Sequence, residues 1–302
     1  MTGLRPFTPA TLWRAFFVSW MLVANAFGAS TKGGASAPGE LAQIGKPDAA
    51  EAQRLIASLR EAGLPPGAFC ELELQALPRR GATVVFRGRL WTGRNDSGSI
   101  MRVELTDAAG KLHRLLVQNG ERSAVWRFTA GGQVEQVSAA ALFDPVIPGV
   151  ELTAFDLQQP FLYWRDASLE KLARIRGRPA NAFVFRAPAG FAGEAKGIVA
   201  ARAYLDTQFN ALMQTELLGA NHRVIKSTAL VDLKKIVDPQ TRAEQWIPKS
   251  FDVRNEVTRD KTRFLITAVA LNLQFAPATF APASLAEQIQ PPPAGKLVRL
   301  DR

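Results

Sequence analysis

From Phe69 to Leu273 the chain alternates apolar and polar residues in strand-length segments broken by short turns. A period of two sets one face of a strand against a core and the other toward water. The pattern therefore predicts one large, curved antiparallel sheet of about eleven strands. In 69–77, Cys70, Leu72, Leu74 and Ala76 share a face opposite Glu71, Glu73 and Gln75. In 82–91, Val84, Phe86 and Leu90 oppose Arg87 and Arg89, and in 100–106 Met101, Val103 and Leu105 oppose Arg102 and Glu104. Asp107 to Gly110 and the Asn119-Gly120 pair read as turns. With 111–118, 122–128 and 132–138 these segments form a meander of hairpins. The alternation resumes at Leu169, with strands near 169–176, 180–187, 197–206, 212–218, 223–234, 243–256 and 262–273. The last carries apolar residues on both faces.

Three stretches depart from this rhythm. Asp48 reads as the N-cap of a helix from Ala49 to Ala62, with Leu55, Ile56 and Leu59 in one apolar stripe. Residues 139–167 combine Pro145, Pro148 and Pro160 with Phe155, Leu157, Phe161, Leu162, Tyr163 and Trp164. That is too much apolar surface for an exposed loop, so the segment is expected to pack on the sheet, with Thr153 capping a short helix. After Leu273, Phe275, Phe280 and Leu285 are expected to dock, and the end of the tail beyond Pro291-Pro292-Pro293 is expected to be disordered.

The first residues read as an export signal. Arg5 and Arg14 precede an apolar run, Ala15 to Val23, that is shorter than the roughly twenty residues a spanning helix needs. Small residues offer cleavage near Ala26 or Ala29; an uncleaved anchor is the other reading. The expected organisation is a signal peptide at 1–29, a flexible linker at 30–47, one sheet domain at 48–287 and a Pro-rich tail at 288–302, with a periplasmic location. The formal charge is +10. Its cations are scattered, and the dyads Arg79-Arg80 and Lys234-Lys235 read as solvated strand ends, so no nucleic-acid partner is expected. Cys70 is the single cysteine. No internal disulfide is possible, and its place beside Leu72 and Leu74 predicts burial.

No catalytic apparatus stands out. His113 and His222 are the only histidines and lie in separate hairpins without further ligands at metal-binding spacing, so no metal and no cofactor are expected. There is no nucleophile elbow and no phosphate-binding glycine loop, and the protein is expected not to be an enzyme. An exported hydrolase using one of the histidines is the remaining catalytic reading, since a triad needs no sequence proximity.

A wide sheet with one apolar face has to cover it, by closing into a barrel or with helices or a lid. The helix bearing Leu55, Ile56 and Leu59 and the segment bearing Phe155, Phe161 and Trp164 are the candidate covers. Leu72, Leu74, Val84, Phe86, Val103 and Leu105 would line the hollow beneath. A permanently packed core and a cover that an acyl chain displaces both fit this pattern.

The stretch Gly149-Val150-Glu151-Leu152-Thr153-Ala154-Phe155-Asp156-Leu157, followed by Phe161-Leu162-Tyr163-Trp164, resembles the outer-membrane lipoprotein-sorting (LolA-like) proteins. The similarity continues through Gly177-Arg178-Pro179, Phe183 to Pro188, Ala203 to Asp206, Trp246 to Lys249, Thr258 to Arg263 and Phe280 to Leu285, covering roughly residues 50–287. The resemblance implies a mainly β fold, an unclosed antiparallel barrel with a few covering helices. It also implies a periplasmic carrier whose hollow holds lipoprotein acyl chains and whose partners include inner- and outer-membrane sorting proteins. Such carriers hold the lid with an arginine, for which Arg87 and Arg89 are the candidates. A non-transporting envelope sensor or scaffold on the same fold is the alternative.

Overall fold

The computed structural model describes residues 39–40, 48–61, 64–129, 131–209, 211–239 and 241–300. The signal peptide expected at 1–29, and the linker apart from Gly39–Glu40, lie outside these residues. In chain order the elements are β1 (Gly39–Glu40), α1 (Ala49–Glu61), β2 (Phe69–Leu77), β3 (Val84–Asn95), β4 (Gly98–Thr106), β5 (Leu112–Gln118), β6 (Ala124–Phe128), β7 (Val134–Gln136), α2 (Ala154–Gln158), β8 (Ala167–Ile175) and β9 (Arg178–Arg186). β10 (Ala200–Asp206), β11 (Leu212–Leu218), β12 (Val224–Val237), β13 (Glu244–Asn255), β14 (Lys261–Ala270) and β15 (Val298–Arg299) complete the chain.

All the strands belong to one antiparallel sheet in the order β1-β8-β9-β10-β11-β12-β13-β14-β2-β3-β4-β5-β6-β7, with β15 beside β14. The sheet is unclosed, with β1 and β7 at its edges, and carries more strands than the eleven or so expected. Two of them, β1 and β15, are two-residue pairings without an alternation signal.

This topology dictates where the covers lie. The chain leaves β7 at one edge and must reach β8 near the other, so residues 137–166 cross the sheet. They cross on the apolar face. Ile147, Val150, Leu152 and Ala154 pack there against Leu72, Leu74, Phe86, Val103, Leu105, Val117 and Phe264. Thr153 starts α2 with a reciprocal cap, as its residue type predicts: its hydroxyl accepts from the Asp156 N–H while the Asp156 carboxylate accepts from the Thr153 N–H. Cys70 is buried in the same cluster, as expected.

The opposite face of β4–β7 is covered too. Ile100, Leu116 and Leu285 form a small core with Trp126, Phe128, Val134 and Phe280. Phe280 lies so close to Gly93 that a Cβ there would stand 2.5 Å from its ring. Arg102, expected on a solvated face, is 0% exposed. It donates to the Ser284 carbonyl at 2.9 Å and the Glu287 carbonyl at 2.5 Å and pairs with Glu104 at 2.9 Å. The C-terminal segment thus occupies the face that alternation alone assigns to water. The tail ends in β15, where Val298 and Arg299 pair with Val269 and Ala268, and Leu300 enters the main core. The disorder expected there is replaced by docking, because β13 leaves β14 beyond the Ser250–Leu265 pair and frees that side of β14.

Candidate functional site

The apolar concave face divides into two clusters. The first is the one beneath 147–154. The second gathers Phe183 and Phe185 of β9, Ala201, Ala203 and Leu205 of β10 and Leu217 of β11 under Ile56, Leu59, Phe155, Phe161 and Leu162. The stripe predicted for α1 therefore faces the sheet. Asp48 caps that helix, its carboxylate accepting from the Glu51 N–H at 2.7 Å.

Aromatic rings make the second cover. Phe155 stacks on Phe143 with centroids 4.7 Å apart, and Phe161 meets Phe185 edge-on at 5.9 Å. Trp164 meets Phe191 at 4.8 Å and Phe161 at 6.4 Å. A Cβ at Gly193 would come within 2.3 Å of the Phe191 ring and 2.9 Å of the Phe143 ring, so only glycine lets that turn close over the aromatics.

Few polar contacts tether the covers. Arg60 of α1 donates through Nε to the Leu162 carbonyl at 2.9 Å, and its guanidinium lies 5.2 Å from the Tyr163 ring centroid. Asp156 of α2 meets Lys226 of β12 at 2.5 Å, and Gln158 donates to the Gln118 carbonyl of β5 at 3.1 Å. The Glu151 N–H donates to Thr262 Oγ1 of β14 at 2.7 Å. Ile56, Leu59, Phe161 and Leu162 meet the sheet residues of this cluster through apolar contact.

Of the residues proposed to line the hollow, Leu72, Leu74, Phe86, Val103 and Leu105 lie together, buried, in the first cluster. Phe155 and Phe161 are buried in the second cluster, with Trp164 half-buried at its border. Val84 lies apart from these. It shares the inner register but begins its strand at the rim, beyond the cover, and is 42% exposed. Arg87 and Arg89 are corrected as latch candidates. They pair across from Glu73 and Glu71 on the opposite face and line a groove of about 770 Å³ with Glu71, Glu73, Glu104 and Lys249. The arginine that joins two covers is Arg60. Its signal was available: it follows the stripe residue Leu59, at the end of a helix read as a cover.

In this form the two clusters of the concave face are buried under the protein's own side chains. A second, smaller cavity of about 260 Å³ sits between Arg114, Arg127, Phe128 and Pro145–Pro148, away from the aromatic cluster. Among the described residues no three His, Cys, Asp or Glu side chains converge as metal ligands. His113 bonds Asp107 at 2.8 Å, while the His222 side chain is 64% exposed and stands 3.8 Å from Glu170.

No family model and no curated protein matches the chain. Solved structures do. A domain from Vibrio parahaemolyticus described as an outer membrane lipoprotein-sorting protein superposes with a TM-score of 0.65 at 14% identity, covering 80% of this chain and 100% of that one. A DUF1329 family protein from Desulfovibrio piger gives 0.64 at 12%, covering 78% and 98%. A LolA superfamily protein from Nitrosomonas europaea gives 0.56 at 12%, covering 76% and 96%. The chain has the LolA-like fold, as the sequence resemblance implied.

Proposed function

We propose that the protein is an exported, non-catalytic binder of lipid or lipoprotein acyl chains that acts in the periplasm in outer-membrane lipoprotein sorting. The carrying observation is the apolar concave face closed by segments held mainly through apolar contact. Each buried CH₂ contributes about 0.8 kcal/mol, so a chain of about fourteen carbons offers roughly 11 kcal/mol. Fully burying Ile56 and Leu59 of α1 stabilises the closed form by about 3–6 kcal/mol. An acyl chain of that length can therefore offset the lost burial of these two side chains. On this reading the cover moves aside, because in the closed form it buries the apolar residues of the face.

That same packing favours a second reading, a sensor or scaffold that never opens. Two measurements separate them: mass spectrometry of lipid extracted from protein purified out of membranes, and titration with a fluorescent acyl probe. Co-purified lipid and saturable probe binding support the carrier. Absence of both, with a crosslinked protein partner that survives delipidation, would establish the scaffold.

A further inference from the structure

Three consecutive hairpin turns lie at one end of the sheet: β8–β9, β10–β11 and β12–β13. The third is an arm. β12 leaves β11 beyond Ala229 and β13 leaves β14 before Ser250, so among the described residues 233–237 and 244–248 have strand pairings only with each other. One face of the arm buries Ile236 and Ile247 in the main core. The other exposes Leu233, Val237 and Trp246, with Val237 at 47% and Trp246 at 43%. At the neighbouring turn Phe209 is 47% exposed, its ring 4.7 Å beneath the Arg178 guanidinium. Arg176 in the first turn donates to the Val231 carbonyl of β12, which ties the first turn to the residue just before the arm.

The charges of these turns are sorted by depth. Asp206 and Asp238 are buried. Asp206 accepts from the Gln208 and Phe209 N–H groups and pairs with Arg178, while Asp238 accepts from the Thr241 N–H and from Asn272. Arg174, Arg176, Lys235 and Arg242 are exposed and Arg178 is partly so, against Asp232 and Glu244 as the surface acids. Lys235 and Glu244 form an exposed pair that contributes little. A tryptophan and aliphatic side chains sharing one end of the sheet with exposed cations match a bilayer interface with an anionic surface, where aromatic groups sit at headgroup depth and cations meet phosphate.

We propose that this end of the sheet docks on an anionic phospholipid bilayer, with Phe209, Val237 and Trp246 entering the interface and Arg174, Arg176 and Arg242 facing the phosphates. The contact is independent of the acyl-binding reading, since it uses none of the concave face.

The test is co-sedimentation of the full chain with vesicles of phosphatidylcholine alone or mixed with phosphatidylglycerol. Expected is binding that requires phosphatidylglycerol and falls at high salt. A Phe209→Ser/Trp246→Ser variant and an Arg174→Glu/Arg176→Glu/Arg242→Glu variant should each bind at least about tenfold more weakly, each cation being worth several-fold near an anionic surface. Circular dichroism reports whether each variant is folded. Should the apolar variant misfold, the charge-reversed one decides, since its three side chains are exposed. Equal binding to both vesicle types overturns the proposal. So does parent-like binding by the folded charge variant, which would place the contact elsewhere, for example in the apolar run Ala15 to Val23.

Discussion

Arg102 shows how a single charge organises a face of this molecule. Its guanidinium is fully buried and spends its donors on Glu104 and on two carbonyls of the C-terminal segment. Removing one member of a buried pair leaves the other desolvated and uncompensated. Arg102→Ala is therefore expected to cost about 3–5 kcal/mol, read as a lower urea midpoint. Arg186→Ala, which breaks an exposed pair with Asp166, should stay near the parent. Among the carboxylates held below their ordinary range, two are partly buried and contribute to the acid limit. Burial raises the Asp206 carboxyl, but hydrogen bonds from Arg178 and the Phe209 and Gln208 N–H groups outweigh it, and the group titrates below its ordinary range. At Asp252 burial is likewise outweighed, by Arg263 and Lys261. A carboxyl depressed in the folded state contributes stability above its unfolded pKa and loses it as pH falls through the folded one. The melting temperature should thus hold from neutral pH to about 5 and drop below about 4. Asp252→Asn should shrink that drop; an unchanged drop would remove Asp252 from the account. Burial also pushes the Cys70 thiol up to about 12, so a thiol reagent should label the unfolded chain and spare the folded one.

Among the elements, the covers and the sheet are held by different forces. The central strands have ladder partners on both sides, whereas α1 is tied by its apolar stripe and by Arg60. Local opening of α1 should therefore need less free energy than global unfolding. Hydrogen exchange should show α1 amides far less protected than those of β9 and β10, and Arg60→Ala should widen the gap. Similar protection in all three would mean that α1 is part of the cooperative core. The sequence made the strands and α1 legible because one-sided burial writes a period of two or a helical stripe into the chain. It made only the first part of the C-terminal cover legible: Phe280 and Leu285 read as docking residues, whereas the end beyond Pro293 did not. Residues 277–300 dock through short turns and Pro-flanked pieces that carry no periodicity. A trace of it was nevertheless present on the partner face: Leu115, Leu116 and Val117 are consecutive apolar residues in β5, which a strand with one wet face does not require. The exposure of Val84 was not legible either, since register fixes a face but not how far along the strand the cover extends.

For the whole molecule, the order of strands explains the architecture of the candidate site. Leaving the sheet unclosed puts its edges at β1 and β7, and the link from β7 to β8 must then run over the concave face. The apolar residues that make this link a cover are Val150, Leu152, Phe155 and Phe161, all inside the stretch that resembles the lipoprotein-sorting proteins. In this form the face is covered by the protein's own segments. Acyl binding therefore stands on movement, with the hydrophobic free energy of the incoming chain replacing that of the departing cover. A Phe161→Ala change, which deletes a buried ring contact with Phe185, should lower global stability by about 3–5 kcal/mol while making probe binding tighter or faster. Slower and weaker binding would instead make Phe161 part of the bound surface.

Hydrogen exchange of the protein with and without a saturated acyl peptide reads the opening itself. Loading should deprotect Ala49 to Glu61 and the turn around Phe161 while leaving β9 and β10 protected. Saturating acyl peptide that leaves the exchange of α1 unaltered would contradict a movable cover over a lipid-binding face.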